Sequence, residues 1–266
     1  MKRLIILTLL SSLLCSCSAQ RLGNAQAAKN VESAVLSDSD IESLDNTLVG
    51  FGQGTEVNDE NIPTGAVMFN EEYGELSACS YNEDSEKITL TFDQGYENGY
   101  TSQILDTLKE KNVHAVFFVL LDYAEKNPEL IQRMIDEGHT VANHSASHAS
   151  FPSISTDEMI DEVMTVHDYM LENYDYEMTL FRFPKGEFSK KALGVVKNCG
   201  YESVFWSFAY EDWNVDSQPD EAQALEKIVG AAHEGAIYLL HSVSKTNANV
   251  LGQAIDEIRA NGFEFE

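Results

Sequence analysis

From Lys87 to the end of the chain, short runs rich in β-branched and aromatic residues alternate with stretches whose apolar positions recur at helical spacing. The strand pattern falls on Ile88–Phe92, Ala115–Leu120, His139–Asn143, Leu180–Phe183, Ser203–Ser207 and Ala236–Leu240, with a short last run at Phe263–Phe265. The helical pattern falls between them, on Thr101–Lys111, Pro128–Glu137, Thr156–Asn173, Ser189–Asn198, Glu221–His233 and Ala248–Asn261. Strands separated by helices return parallel to one another, because only a long crossover carries the chain back to the same end. The predicted fold class is therefore α/β, with a parallel sheet closed as a barrel or left open. A length of 266 residues suits one large domain of this kind. No sequence repeat is present, and neither is a Walker, G-x-G-x-x-G or G-x-S-x-G loop.

The start of the chain follows a different rule. Met1-Lys2-Arg3 gives a basic head to the apolar run Leu4–Leu14, whose 11 residues are too few for a hydrocarbon core that needs roughly 20. This is the pattern of an export signal, predicted over residues 1–16. Leu14-Cys15-Ser16-Cys17 is similar to a bacterial lipobox, in which a small residue precedes the cysteine that is cleaved before and lipidated. Cys17 fits that role better than Cys15, which follows the bulky Leu14. An ordinary secretory signal cleaved nearby is the alternative. The mature chain is thus expected outside the cytoplasm, held at the membrane only through a lipid on Cys17 or released. Residues 17–47, with SDSD and few aromatics, are expected to form a flexible tether with an r.m.s. reach of roughly 30 Å. Residues 48–266 are expected to form the folded domain. Export makes a Cys79–Cys199 disulfide permissible without requiring it.

Charge narrows the list of partners. The sequence has 17 Lys+Arg and 44 Asp+Glu, a net −27, and losing Lys2 and Arg3 with the signal segment takes this to −29. Such a surface repels phosphate backbones and anionic lipid, so nucleic acid is not an expected partner.

Titratable residues cluster where the strand runs end. Asp93 follows the first, His144 and His148 the third, Arg182 and Lys185 lie at the end of the fourth, Asp212 lies beyond the fifth, and His241 ends the sixth. Each has an ordinary explanation. Asp93 could cap a helix, His144 and His148 could be an incidental H-x-x-x-H, His241 could be a core histidine, and Arg182 with Asp212 could be a structural ion pair. Their shared position weighs against that, because the carboxyl ends of strands in α/β barrels carry the chemistry. Two imidazoles at i and i+4 can also meet one metal ion.

TFDQG, HSASH, FRFPKG, WSFAYEDW and YLLHS, in this order, resemble the five motifs of the polysaccharide deacetylases of carbohydrate esterase family 4, the NodB-homology fold. The longer stretches TFDQGYENGYT, FWSFAYEDW and GAIYLLHSVSKTNA resemble the branch that de-N-acetylates muramic acid on the way to muramic δ-lactam. The resemblance implies a distorted (β/α) barrel over residues 48–266. It implies Asp93 as general base, oriented by Arg182, and His241 as general acid, tuned by Asp212. It makes His144 and His148 ligands of a divalent metal ion and places Trp213 and Leu239 around the acetyl group. Amide hydrolysis needs an activated water, a stabilised oxyanion and a proton for the leaving amine, and this set supplies them.

Two positions depart from the general family pattern. Gln94 stands where a second, metal-binding Asp is usual, so its neutral amide oxygen would be the third ligand of Zn²⁺ or another divalent cation. Ala209 stands where the fourth motif commonly begins with Asp. The implied activity is removal of acetyl from N-acetylmuramic acid in a peptidoglycan glycan strand whose stem peptide is gone. That would couple the enzyme to an N-acetylmuramoyl-L-alanine amidase. The alternatives are N-acetylglucosamine in wall glycan or chitin oligomers, a silent glycan-binding module, and glycosidase chemistry by Asp93 and Asp212, in which the histidine pair has no role. Lys185, three residues after Arg182, is a candidate to meet the lactyl carboxylate, because an acidic protein needs a local cation to accept an anionic sugar.

Overall fold

The structure, a computed structural model, describes residues 35–266. The predicted signal segment, Cys17 and the tether as far as residue 34 lie outside the described residues. In chain order the elements begin with α1 (Asp38–Ser43), β1 (Val49–Gly50), α2 (Thr64–Tyr73), β2 (Ala78–Cys79), β3 (Lys87–Gln94) and α3 (Thr101–Lys111). They continue with β4 (Ala115–Val119), α4 (Leu121–Lys126), α5 (Pro128–Asp136), β5 (Thr140–Asn143), α6 (Thr156–Tyr174), β6 (Leu180–Phe181) and β7 (Glu187–Phe188). They end with α7 (Lys190–Asn198), β8 (Glu202–Val204), β9 (Phe208–Ala209), α8 (Glu221–Gly230), β10 (Ile237–His241), α9 (Lys245–Ala260) and β11 (Glu264–Phe265).

One parallel sheet organises these elements, in the order β2-β8-β6-β5-β4-β3-β10-β9, with β11 pairing the start of β3. β2 and β9 end the order, and among the described residues no ladder joins them, so the distorted barrel stays open along that side. The period of two along each strand sorts side chains into two layers. Leu90, Phe92, Phe117, Val141, Tyr238 and Leu240 belong to the main core beneath the helices. Phe118, Ala142, Val204 and Ile237, with Cys79, Val116 and Leu180, make a second, small apolar cluster. The same alternation puts Asp93, His144, Arg182 and His241 on that second face, with Asp93 paired to Phe118, His144 two residues after Ala142, Arg182 two after Leu180 and His241 four after Ile237.

Beyond α2 and α4, which the pattern does not predict, and α8, which ends at Gly230 and not His233, four differences bear on how the domain is built. The run predicted at Ser203–Ser207 is a strand only as far as Val204, because the carbonyls of Val204 and Phe205 turn to Arg182, and the next strand, β9, begins at Phe208. The run at Leu180–Phe183 ends at Phe181, since the Arg182 carbonyl goes to His144 Nδ1 and its side chain to Asp93, while its N–H keeps the Asn143 carbonyl. The helix predicted from Ala248 starts at Lys245, where the Ser244 hydroxyl accepts the Asn247 N–H. The tether is the fourth difference, since it was expected to run to residue 47 and residues 35–47 are instead docked. Ser37 and Asp40 cap α1 reciprocally, Ile41 is buried, and both backbone groups of Leu36 bond the Asn198 side chain at 2.9 and 2.7 Å. Gly194 of α7 permits this approach, because a Cβ there would lie 2.7 Å from Leu44 Cδ1 and 2.9 Å from Ile41 Cδ1. Cys79 and Cys199 are both free thiols.

Candidate active site

Asp93 and His241 stand side by side in paired strands, since β10 pairs β3 with His241 opposite Asp93. Arg182 reaches Asp93 from the far side of the barrel mouth, donating from Nη1 to Asp93 Oδ1 at 2.9 Å and to Thr91 Oγ1 at 2.7 Å. Its other donors go to the carbonyls of Val204 and Phe205, each at 2.9 Å, and its guanidinium lies 4.1 Å from the Phe118 ring centroid. A fully buried cation with every edge engaged has one orientation, and Asp93 inherits it. Burial alone would raise the Asp93 carboxyl, but Arg182, with His144 and His241, outweighs it and holds the pKa below the usual range. The group is thus a carboxylate at neutral pH, as a general base must be.

The second pair is His241 with Asp212. Asp212 is fully buried, and its carboxylate accepts from His241 Nδ1 at 2.7 Å, from the His241 backbone N–H at 2.8 Å and from Asn247 Nδ2 at 2.5 Å. Asn247 in turn accepts from the Tyr210 hydroxyl. Burial pulls the His241 pKa down, and the bond to Asp212 together with the charges of Asp212 and Asp93 more than reverses this, so it is raised. With its proton on Nδ1 committed to Asp212, His241 presents Nε2 as the group that can donate.

His144 and His148 come together with ring centroids 5.1 Å apart. His144 Nδ1 bonds the Arg182 carbonyl at 2.9 Å, which puts the proton on Nδ1 and leaves the Nε2 lone pair free, 3.5 Å from Asp93 Oδ2. Burial lowers the pKa of both rings, His148 to about 4 with help from His144 and Lys185, so both are neutral and able to coordinate. Gln94 is fully buried, its Nε2 donates to Ser242 Oγ at 2.5 Å, and its Oε1 has no partner. Gln94 directly follows Asp93, whose Oδ2 lies 3.5 Å from His144 Nε2, and an orphaned buried carbonyl oxygen and two neutral imidazoles are donor types that fit a divalent cation. The set remains short of anions, and among the described residues no three His, Cys, Asp or Glu side chains form a metal-holding group.

The remaining predicted residues lie at the rim. Leu239 is buried on β10 beside Ala209 of β9. Trp213 is 53% exposed, with its ring centroid 5.7 Å from that of His241. Lys185 is exposed and left-handed, with φ 60°, in a turn whose next residue, Gly186, has no room for a Cβ against Trp206. Asn247, Ser242 and Glu162 contact this machinery and are not distinguished by sequence reasoning. Ser242 and Asn247 carry a local signal, as polar residues one and six positions after His241 within a recognised stretch, and Glu162 carries none.

Comparison with known proteins agrees with this geometry. Residues 80–204 match the family model described as polysaccharide deacetylase. The chain is 42% identical over 211 residues to an uncharacterised 30.6 kDa protein of Geobacillus stearothermophilus, covering 79% of this chain and 80% of that one. It is 37% identical over 227 residues to the peptidoglycan-N-acetylmuramic acid deacetylase PdaA of Bacillus subtilis, covering 85% and 86%. The solved structure of PdaA, a family 4 carbohydrate esterase, superposes with a TM-score of 0.79 over 84% of this chain and 96% of that one, at 36% identity. The chain therefore belongs to the polysaccharide deacetylases, carbohydrate esterase family 4, and is an enzyme of the peptidoglycan-deacetylase kind.

Proposed function

We propose that the protein removes the acetyl group from N-acetylmuramic acid in peptidoglycan strands whose stem peptide has been cleaved away, acting outside the cytoplasm downstream of an N-acetylmuramoyl-L-alanine amidase. The observation that carries this reading is the register that sets Asp93 beside His241, each held by its own buried partner, Arg182 and Asp212. Similarity to PdaA over most of both chains supports the muramic acid substrate.

Asp93 takes a proton from the attacking water as its oxygen bonds the acetyl carbon. His241 Nε2 gives a proton to the nitrogen as the carbon–nitrogen bond breaks, and acetate and the free amine result. A divalent cation held by His144, His148 and the Gln94 amide oxygen would supply Lewis acidity for the carbonyl and the water. Trp213 and Leu239 flank the acetyl methyl. Lys185 meets the lactyl carboxylate, which exists only after the peptide is gone, and that carboxylate then lies on the same sugar as the new amine for δ-lactam closure with loss of water. The export signal and a lipid on Cys17 would keep this chemistry at the wall. No helix among the described residues is long and apolar enough to cross a membrane.

The test is acetate release and muropeptide mass spectrometry on peptidoglycan with and without prior amidase digestion, beside chitin oligomers. Release confined to the amidase-treated wall supports the proposal. Release mainly from chitin oligomers moves the substrate to N-acetylglucosamine, and glycan retention without acetate makes the protein a silent binding module.

A further inference from the structure

The chain bends sharply between the two imidazoles of HSASH. Ser145 has φ 77° and His148 φ 64°, backbone positions that residues with a Cβ seldom take. Something outside the strand has to hold them, and the fate of each backbone N–H shows what does. His144 donates to the Val119 carbonyl at 3.0 Å, continuing the ladder. Ser145 donates to the Asn143 side chain at 2.9 Å and His148 to the Ser145 hydroxyl at 3.0 Å, both within the loop. The two between them leave the loop for one residue of α6. Ala146 donates to the Glu162 carbonyl at 2.9 Å and Ser147 to Glu162 Oε2 at 2.8 Å, while the Ser147 hydroxyl donates to Glu162 Oε1 at 2.5 Å.

Both carboxylate oxygens of Glu162 are thereby spent on Ser147. Among the described residues Glu162 forms no salt bridge, although a helix-surface glutamate ordinarily faces water or a lysine. The next residue of α6 holds the entrance to the same loop, because Asn143 Nδ2 donates to the Val163 carbonyl at 2.8 Å, and Val163 is fully buried. One turn of α6 therefore fixes the loop at its start and at the residue before His148.

We propose that Glu162 is a positioning residue for the His144–His148 pair, clamping Ser147 so that the imidazoles stand at coordinating separation before any cation arrives. The inference rests on the metal-binding role given to the two histidines above. Partners that orient metal ligands from outside are typically worth about 10–100-fold in metal affinity.

The experiment measures affinity for zinc ion alone, by chelator competition, in the protein and in its Glu162→Ala, Glu162→Gln and His148→Ala variants. Glutamine can accept the Ser147 N–H through Oε1 and donate to the Ser147 hydroxyl through Nε2, so it keeps the clamp and removes only the charge. The expected result is a loss of about 10–100-fold for Glu162→Ala and recovery to within about threefold for Glu162→Gln. Amide hydrogen exchange of residues 145–148 in the metal-free proteins should quicken in Glu162→Ala and not in Glu162→Gln, which reads the clamp without a metal. Unchanged affinity in Glu162→Ala beside a clear loss in His148→Ala overturns the role of Glu162 and leaves the metal site standing. Equal weakness of the Ala and Gln variants assigns the effect to charge and overturns the clamp. Unchanged affinity in His148→Ala removes the metal site and the proposal together.

Discussion

Arg182 and Asp93 meet at 2.9 Å with the arginine side chain wholly out of water and the aspartate side chain only 9% exposed. An ion pair in such a place is held together by the cost of separating it, since either partner left alone is an uncompensated charge in a poorly polarisable site. Arg182→Met should therefore destabilise the protein by about 3–5 kcal/mol in urea unfolding. Adding Asp93→Asn to it should recover part of that loss, whereas additive destabilisation would show that the two side chains are energetically independent.

The pair of Asp212 and His241 predicts a pH effect with a definite sign. Activity requires Asp93 ionised and His241 protonated, so the rate falls at high pH as His241 loses its proton. Asp212 holds that pKa above the ordinary value against the effect of burial. In Asp212→Asn the burial is left unopposed by its strongest partner, and the alkaline limb of kcat/KM should move to lower pH. At pH values between the two limbs the rate should drop by about 10²–10⁴-fold, the usual worth of a general acid. Profiles of acetate release against pH that keep the same alkaline limb would remove Asp212 from this role.

Gln94→Asp should have opposite effects on the metal-free and the loaded protein. Without metal it places a second carboxylate next to Asp93 in a fully buried position and gives up the 2.5 Å bond to Ser242, so stability should fall. With zinc the same carboxylate is an anionic ligand, and the zinc-dependent rise in Tm should exceed that of the wild type. A variant whose Tm responds to zinc no more than the wild type would show that position 94 does not face the ion.

Lys185 offers a test of substrate choice. Its charge is felt at His148, and the buried Pro184 and Gly186 on either side fix the turn that carries it. Lys185→Ala should raise KM for amidase-treated peptidoglycan by about tenfold, a typical loss for one charge contact to an anionic group, with kcat nearly unchanged. Slow activity on N-acetylglucosamine oligomers, which carry no carboxylate, should not move. Equal loss on both substrates would mean that the turn itself had been disturbed.

What could be read from the chain was whatever repeats at short range. The strand and helix periods placed β3, β4, β5 and β10 and the helices α3, α5, α6, α7 and α8, though not α4, and the chemistry appeared at strand ends because the polar residues interrupt apolar runs there. Pairings over long separations left no such trace. Residues 35–47 look like a polar linker because α1 is short and exposes most of its side chains, and its partners Gly194 and Asn198 lie some 150 positions further on. Glu162 looks like any solvent-facing glutamate of an amphipathic helix until the loop that it grips is seen. Register is equally silent, for nothing in YLLHS or TFDQG says that His241 faces Asp93 and not Phe92.

The docking of residues 35–47 along α7 also sets the path of this segment from one end of the domain to the other. In a β/α unit the helix begins near the carboxyl end of its preceding strand and finishes at the opposite pole. Leu36 is gripped by Asn198, the last residue of α7, whereas Asp45 accepts the Lys191 N–H and Asn46 accepts the Ser189 hydroxyl at the first turn. The described residues thus start at the pole away from the chemistry and climb the length of α7 to reach the rim. The two hydrogen bonds between Leu36 and Asn198 therefore lie a full helix length from the catalytic mouth, so a substitution at Asn198 loosens the foot of the domain and leaves the chemistry at its other end untouched.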